Sequence, residues 1–347
     1  MYGMIRFERT AVGLLFLASC APAAAAQEFS CQHRTVPVSF RDAQNLPILD
    51  VTIADLEAKA HGKPLKILSL GPDLRAHRLV LILDTSGSMN STAAEAPLWK
   101  LELALARHFF EVNHQKSKIA LLFFNDRVTD VIDFSQENSA VGGKLQQITK
   151  DPDYLKKKVK GKTALRDAIL QGVQLLEHPS SADALYVLTD AGDNASTHSI
   201  ADVSRRLAVT PVRLFAIVLQ QRGGYRTRAP EELSGPDELS QIARKSGGEI
   251  LSAAEPQGDS VALSANPEGK LKPQEVLSRL YQTILQDRLL EIELPSPIKK
   301  NEHWELKFLN SARRQWKGAQ IVYPYVLVSC NSEVAGSGIP SPQVHFP

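Results

Sequence analysis

The chain has 347 residues, an apolar share of 43%, a charged share of 22% and a formal net charge of +2. That length allows about two domains at roughly 150 residues each, and the composition is ordinary for a soluble globular protein. Lys and Arg total 40 against 38 Asp and Glu, so the basic surplus that draws a protein to phosphate backbones is missing, and nucleic acid is excluded as the expected partner.

The first residues read as a targeting segment. Arg6 and Arg9 precede a short apolar run, residues 11–17, followed by small residues through Ala26. Basic start, apolar middle and small-residue cleavage region are the layout of an export signal. The run is too short to span a bilayer. Two processing routes fit. Ala24-Ala25-Ala26 suits cleavage before Gln27, which makes residues 1–26 the signal peptide. Leu17-Ala18-Ser19-Cys20 instead has the order of a bacterial lipobox, with a signal over residues 1–19 and a lipidated Cys20 as the only membrane attachment. The expected location is the periplasm, the outer membrane as a lipoprotein, or the exterior as a secreted protein. Cys20 is removed or lipidated on either route, leaving Cys31 and Cys330. In an exported chain these two invite a disulfide around the whole middle of the protein; the alternative is two separate thiols.

Residues 31–74 form a β-rich segment with expected strands VPVSF, PILDVTI and KPLKILSL, separated by turn formers at 42–45 and 61–63. From residue 78 the pattern changes. An unbroken apolar run occurs at 79–83, and similar runs recur at 119–124, 184–188 and, with Arg213 inside it, 212–219. Strands without polar alternation are expected to be buried on both faces, as in a parallel sheet covered by helices. Between them lie helical faces: Leu98, Leu101, Leu105, Phe109 and Val112; then Leu165, Ile169, Val173 and Leu176; then Val203 and Leu207; then Leu239, Ile242 and Ala243. An edge hairpin strand is expected within 127–134. Strand and helix alternate over 78–252, which predicts an α/β, doubly wound, mostly parallel sheet with small β-rich flanking segments. Residues 253–272 read as a linker. A C-terminal unit, 273–330, holds an amphipathic helix over 274–290 and strands LLEIEL, HWELKFL and IVYPYVLV. Residues 331–347 read as a disordered tail.

The chemistry gathers at strand ends. The first apolar run stops at Asp84-Thr85-Ser86-Gly87-Ser88, where oxygen-bearing side chains alternate just past a strand's carboxyl end, the edge at which doubly wound sheets bind ligands. Gly87 is expected to let this loop turn tightly. A second carboxylate, Asp190, follows the run ALYVL in the same way, and Thr163 opens a helix between them. Oxygen donors without His or Cys favour Mg²⁺, Mn²⁺ or Ca²⁺ over Zn²⁺. Asp84 and Asp190 together offset a divalent charge while Ser86, Ser88 and Thr163 are neutral.

The set DTSGSM, GKTAL and LTDAGDN resembles the von Willebrand factor A family, a Rossmann-like α/β domain whose metal-ion-dependent adhesion site uses D-x-S-x-S, a distant Thr and a distant Asp. The resemblance covers roughly residues 78–252 and places the metal ligands on Asp84, Ser86, Ser88, Thr163 and Asp190, with Asp193 as an outer partner. The family usually has Gly after the last Asp; here it is Ala191. The flanks are more weakly similar to a bacterial subgroup of exported proteins. The resemblance implies a binding protein rather than an enzyme, in which an acidic residue from a protein partner completes the metal's shell. Arg222, Tyr225 and Arg226, after the strand at 212–219, are expected to form a partner-binding rim. Lys156, Lys157, Lys158, Lys160 and Lys162 approach from another side.

Two rival readings use the same residues: a metal-assisted hydrolase, and a structural role in which the metal only orders the loops. Against the first, no positioned general base accompanies the site, and His198 reads as a surface residue. Gly161-Lys162-Thr163 lacks the earlier glycine of a phosphate-binding loop, Lys156 standing in its place. No G-x-S-x-G serine elbow occurs. Asn90 and Asn194 open glycosylation sequons, but glycans there would crowd the metal site, which favours a bacterial source.

Overall fold

The computed structural model describes residues 32–43, 47–90, 96–180, 182–220, 230–254 and 288–327. The export signal, Cys20, Cys31 and Cys330, the rim residues Arg222, Tyr225 and Arg226, nearly all of the linker, most of the helix expected over 274–290, and the tail lie outside the described residues.

The described chain opens on three strands, β1 (His33–Arg41), β2 (Leu56–Ala60) and β3 (Lys63–Pro72). The first and third hold the expected VPVSF and KPLKILSL. The strand expected at 47–53 does not form: Pro47 makes an isolated bridge to Arg41, and Ile53–Asp55 is a turn of 3-10 helix. Proline has no N–H to give a ladder. Further on, Thr52 and Asp55 close a capping box, the Asp55 carboxylate accepting from the Thr52 N–H at 2.8 Å and from its hydroxyl at 2.9 Å. The real second strand starts where these local bonds end. It turns into β3 through His61 and Gly62, at φ of 49° and 74°, as a two-residue hairpin requires.

The apolar runs build a second sheet. Its strands are β4 (His77–Asp84), β5 (Ser117–Phe124), β6 (Val128–Ile132), β7 (Ala184–Thr189), β8 (Arg213–Gln220) and β9 (Ile250–Ala254), in the order β6-β5-β4-β7-β8-β9. All neighbours are parallel except β6, the expected hairpin edge strand, which is antiparallel to β5. The described helices are α1 (Pro97–Asn113), α2 (Asn138–Lys150), α3 (Tyr154–Lys158), α4 (Leu165–Leu175), α5 (Ile200–Ala208) and α6 (Pro230–Ser246). Leu79, Leu81 and Leu83 of β4 pack with residues of α1 and α2, whereas Val80 and Ile82 pack with α4, α5 and α6. Successive side chains leave a strand on opposite faces, so covering both faces forbids polar residues in LVLIL. The α/β doubly wound class expected from the sequence is the one adopted. Helices α2 and α3 had escaped the sequence reading. In α2 only Val141, Leu145 and Ile148 are buried and Gly142-Gly143 interrupts the pattern, while α3 is five residues long.

Strand order locates the crevice. From β4 the chain steps outward to β5 and β6, then returns to β7 on the other side of β4. Connections therefore leave β4 and β7 in opposite directions, and the gap beyond their carboxyl ends is the switch point where such sheets hold ligands.

The four remaining strands are β10 (Arg288–Glu293), β11 (Glu302–Phe308), β12 (Gln320–Val322) and β13 (Val326–Leu327). They join β1–β3 in one seven-stranded sheet, β12-β1-β10-β3-β2-β11-β13, so the two flanks of the sequence are a single unit with the α/β domain inserted between β3 and β10. The expected strand LLEIEL forms as β10, and Arg288 to Leu290, where the helix expected over 274–290 overlapped it, pair with Val38 to Val36 of β1, while IVYPYVLV is split at Tyr323-Pro324. β12 and β13 lie at opposite edges, yet the few residues between them reach at most about 14 Å, so the sheet curls around its own core of Val36, Val38, Phe40, Ile292, Trp304 and Leu306. Arg41 of β1, 1% exposed, forms an ion pair with Glu249 just before β9. That contact holds the curled sheet against the amino ends of the parallel strands, opposite the crevice.

Candidate metal centre

Three loops meet at the crevice and are stapled to one another. The first leaves β4 at Asp84, which is 0% exposed. Its Oδ1 accepts the Ser86 N–H at 2.9 Å, folding the loop back, and the Ser86 and Ser88 hydroxyl oxygens stand 3.0 Å apart. The second loop precedes α4: Gly87 N–H donates to the Gly161 carbonyl at 2.9 Å and Lys160 N–H to the Thr85 carbonyl at 2.9 Å. A Cβ on Gly87 would meet the Gly161 carbonyl oxygen at 3.0 Å. Glycine at this position thus eases a close approach between loops, whereas the sequence had suggested a tight turn. The third loop leaves β7. The Thr189 hydroxyl donates to Asp84 Oδ2 at 2.6 Å and accepts the Ala191 N–H at 3.0 Å. Thr163, 4% exposed, donates its N–H to Asn194 Oδ1 at 2.9 Å, and its carbonyl accepts from Asn194 and Ala195.

The electrostatics of this junction are unfavourable without a cation. Burial, then repulsion from Asp190, pushes the Asp84 carboxyl up to about 7 against the opposing hydrogen bonds of Ser86 and Thr189. A third carboxylate that sequence reasoning missed lies behind it. Glu102 of α1, 0% exposed, accepts the Asp84 N–H on Oε1 at 2.6 Å, and its Oε2 has no hydrogen-bond partner among the described residues. Burial, then Asp84 and Asp190, hold Glu102 well above the usual carboxylate range. The only sequence signal was an acid on the buried face of an amphipathic helix, three positions after Trp99 and one after Leu101. Among the described residues no group of three or more His, Cys, Asp or Glu side chains is arranged to hold a metal. A cation here would rely on two carboxylates and neutral hydroxyls. That donor set fits a hard divalent ion, whose charge would reverse the repulsion between Asp84 and Asp190.

The five residues expected to bind metal therefore lie on three adjoining loops. Asp193, expected as an outer partner, has its carboxylate 2.9 Å from Arg166 Nε and accepts the Arg166 N–H and the Ser196 hydroxyl, tying the third loop to the start of α4. His198 is on the surface with Nδ1 2.8 Å from the Asp167 carboxylate. Asn194 uses its amide on Thr163 and Glu231. Ala191 has φ of 69°, in the left-handed region that glycine adopts freely and that strains a residue with a Cβ. On its far side α6 approaches so closely that a Cβ on Gly235 would lie 1.8 Å from the Ala191 carbonyl oxygen.

Residues 79–193, which carry all three loops, match the family described as von Willebrand factor type A domain. The chain carries a von Willebrand factor type A domain. No curated protein matches in sequence. Among solved structures, similarity extends to the conserved hypothetical protein BatB from Bacteroides thetaiotaomicron, at 15% identity and TM-score 0.40, covering 60% of this chain and 98% of that one. An aerotolerance-related membrane protein from Bacteroides fragilis, with multiple mutations to serines, is similar at 14% identity and TM-score 0.37, covering 60% of this chain and 99% of that one. Proximal thread matrix protein 1 from the mussel byssus, with a zinc-occupied MIDAS motif, is similar at 15% identity and TM-score 0.41, covering 62% of this chain and 46% of that one. The von Willebrand A domain is in general a protein-interaction module. Among the described residues no helix is long and apolar enough to cross a membrane.

Proposed function

We propose that this protein is an exported binding protein of the bacterial envelope, not an enzyme, and that its von Willebrand A domain captures an acidic side chain of a protein partner through a divalent cation. The observation that carries the reading is the junction of three stapled loops around Asp84, a fully buried carboxylate that accepts from the Ser86 N–H and the Thr189 hydroxyl and that burial and Asp190 push up. Asp84 and Asp190 would balance the charge of Mg²⁺, or of Mn²⁺ or Ca²⁺, while Ser86, Ser88 and Thr163 supply neutral oxygens. A divalent cation held by these residues would supply a positive centre for an incoming carboxylate. The protein's own contribution is preorganisation. The staples between the loops fix the donors before any ligand arrives, and the Glu102 carboxylate fixes the Asp84 backbone from behind. His198, the nearest histidine to Asp190 in sequence, is held by Asp167.

Calorimetric titration with MgCl₂ and MnCl₂ tests the site. We expect one divalent ion per chain, lost in Asp190→Ala with its circular dichroism spectrum unchanged. Pull-down from the native envelope should then recover a partner with Mg²⁺ and release it with EDTA. Recovery that survives EDTA, or steady hydrolytic turnover by the purified protein, would overturn the reading. Mass spectrometry of the mature N-terminus separates the export routes, a chain starting at Gln27 ruling out lipidation at Cys20.

A further inference from the structure

Residues 156–162, KKKVKGK, place five lysines and no arginine beside the crevice. Lys156, Lys157 and Lys158 are on α3, and Lys160 and Lys162 are in the loop that ends at Thr163; all five are exposed. The backbone beneath them is fixed. Val159 is 1% exposed and Thr163 is 4% exposed, so the segment is pinned at two buried points. It is also bonded directly to the Asp84 loop: Lys160 N–H donates to Thr85, Gly161 accepts from Gly87, and the Asn90 amide donates to the Val159 carbonyl at 3.3 Å. Lys157 pairs with Asp153 at 3.1 Å, whereas Lys156, Lys158, Lys160 and Lys162 have no ion pair among the described residues. Four like charges are thus held close together, at the edge of a site that itself attracts anions once it holds a cation.

We infer that the lysine segment and the cation site form one acceptor surface for a protein segment carrying several consecutive Asp or Glu residues. One carboxylate takes the cation and the following ones lie along the lysines. This rests on the cation reading above and names the partner's chemistry. An extended acidic run advances about 3.4 Å per residue, short enough to meet several lysines of a seven-residue segment. Lysine presents a strongly hydrated point charge, which suits a run of carboxylates.

The test uses the purified mature chain and a fluorescein-labelled octaglutamate peptide, followed by anisotropy in Mg²⁺ and in EDTA. A quadruple variant, Lys156→Ser, Lys158→Ser, Lys160→Ser and Lys162→Ser, is compared with the wild type after circular dichroism shows both folded. We expect Mg²⁺-dependent binding that is weakened about tenfold in the quadruple variant, with a shallower dependence on salt. Unchanged affinity in the variant, with Mg²⁺ still required, overturns the lysine surface and leaves the cation site standing. Absence of Mg²⁺ uptake by the wild type in calorimetry overturns the cation reading itself. Peptide binding that persists fully in EDTA overturns the joint surface. Polyphosphate binding as tightly, with the same lysine dependence, overturns the assignment to an acidic protein segment.

Discussion

Replacing Asp84 with asparagine is expected to make the metal-free protein more stable while removing its response to Mg²⁺. The unfolded chain loses the Asp84 proton near 3.8 and the folded chain holds it up to about 7. Between those values the folded state binds more protons, so the stability linked to this group is fully present below the lower value and is lost as pH rises through the upper one. A shift of about 3 units corresponds to about 4 kcal/mol at pH 8. Asparagine keeps an acceptor for the Ser86 N–H but sets an amide against the Thr189 hydroxyl, a mismatch of about 1–2 kcal/mol. Part of the gain is shared with Asp190, so the net stabilisation is about 2 kcal/mol, or roughly 4–8 °C in Tm for a domain of this size. Thermal melts by circular dichroism at pH 8 in EDTA, repeated in excess MgCl₂, give both readouts. If Asp84→Asn melts at or below the wild type in EDTA, the repulsive junction described above does not exist and the argument for a cation loses its basis.

The same sign predicts pH dependence in the wild type: the rise in Tm produced by Mg²⁺ should be larger at pH 8 than at pH 5.5, because at the lower pH the cation must displace the Asp84 proton. An increment that does not change with pH would contradict it. Ala191→Gly removes a Cβ from a backbone at φ of 69°. The relief of roughly 1 kcal/mol exceeds the added freedom of glycine in the unfolded chain, so urea titration should show a gain of about 0.5 kcal/mol with Mg²⁺ affinity unchanged. Gly235→Ala acts on the opposite side of the same residue. Its Cβ cannot coexist with the Ala191 carbonyl at 1.8 Å, so a loss of about 1–3 kcal/mol should accompany a smaller Mg²⁺ shift in Tm; a neutral outcome would show that α6 yields freely and does not set the Asp190 loop.

The alternation of LVLIL, IALLFF, ALYVL and VRLFAIVL with amphipathic helices was enough to determine the doubly wound domain, because a strand buried on both faces is apolar at nearly every position, Arg213 at the start of β8 being the exception. The motifs at Asp84, Thr163 and Asp190 were legible for a related reason: each follows directly on a strand or opens a helix, so local sequence fixes which edge of the sheet it joins. Tertiary structure alone decided the rest. Glu102 lies eighteen residues from Asp84 and meets it only because α1 packs across the end of β4. The staple between Gly87 and Gly161 and the crowding of Ala191 by Gly235 depend on distances between loops, which no pattern in one segment encodes. The same holds for the flanks. Each reads as a few short strands, and neither contains a signal that β10 will pair with β1 and β3, since strand partners are chosen by shape and burial across more than two hundred residues. At 47–53 a strand-like run lost to Pro47 and to the Thr52–Asp55 cap, where local hydrogen bonds outweighed hydrophobic pattern. Sequence determined which loops reach the crevice; packing determined that a third carboxyl group, Glu102, is buried behind them, where burial and the neighbouring acids favour its protonated form.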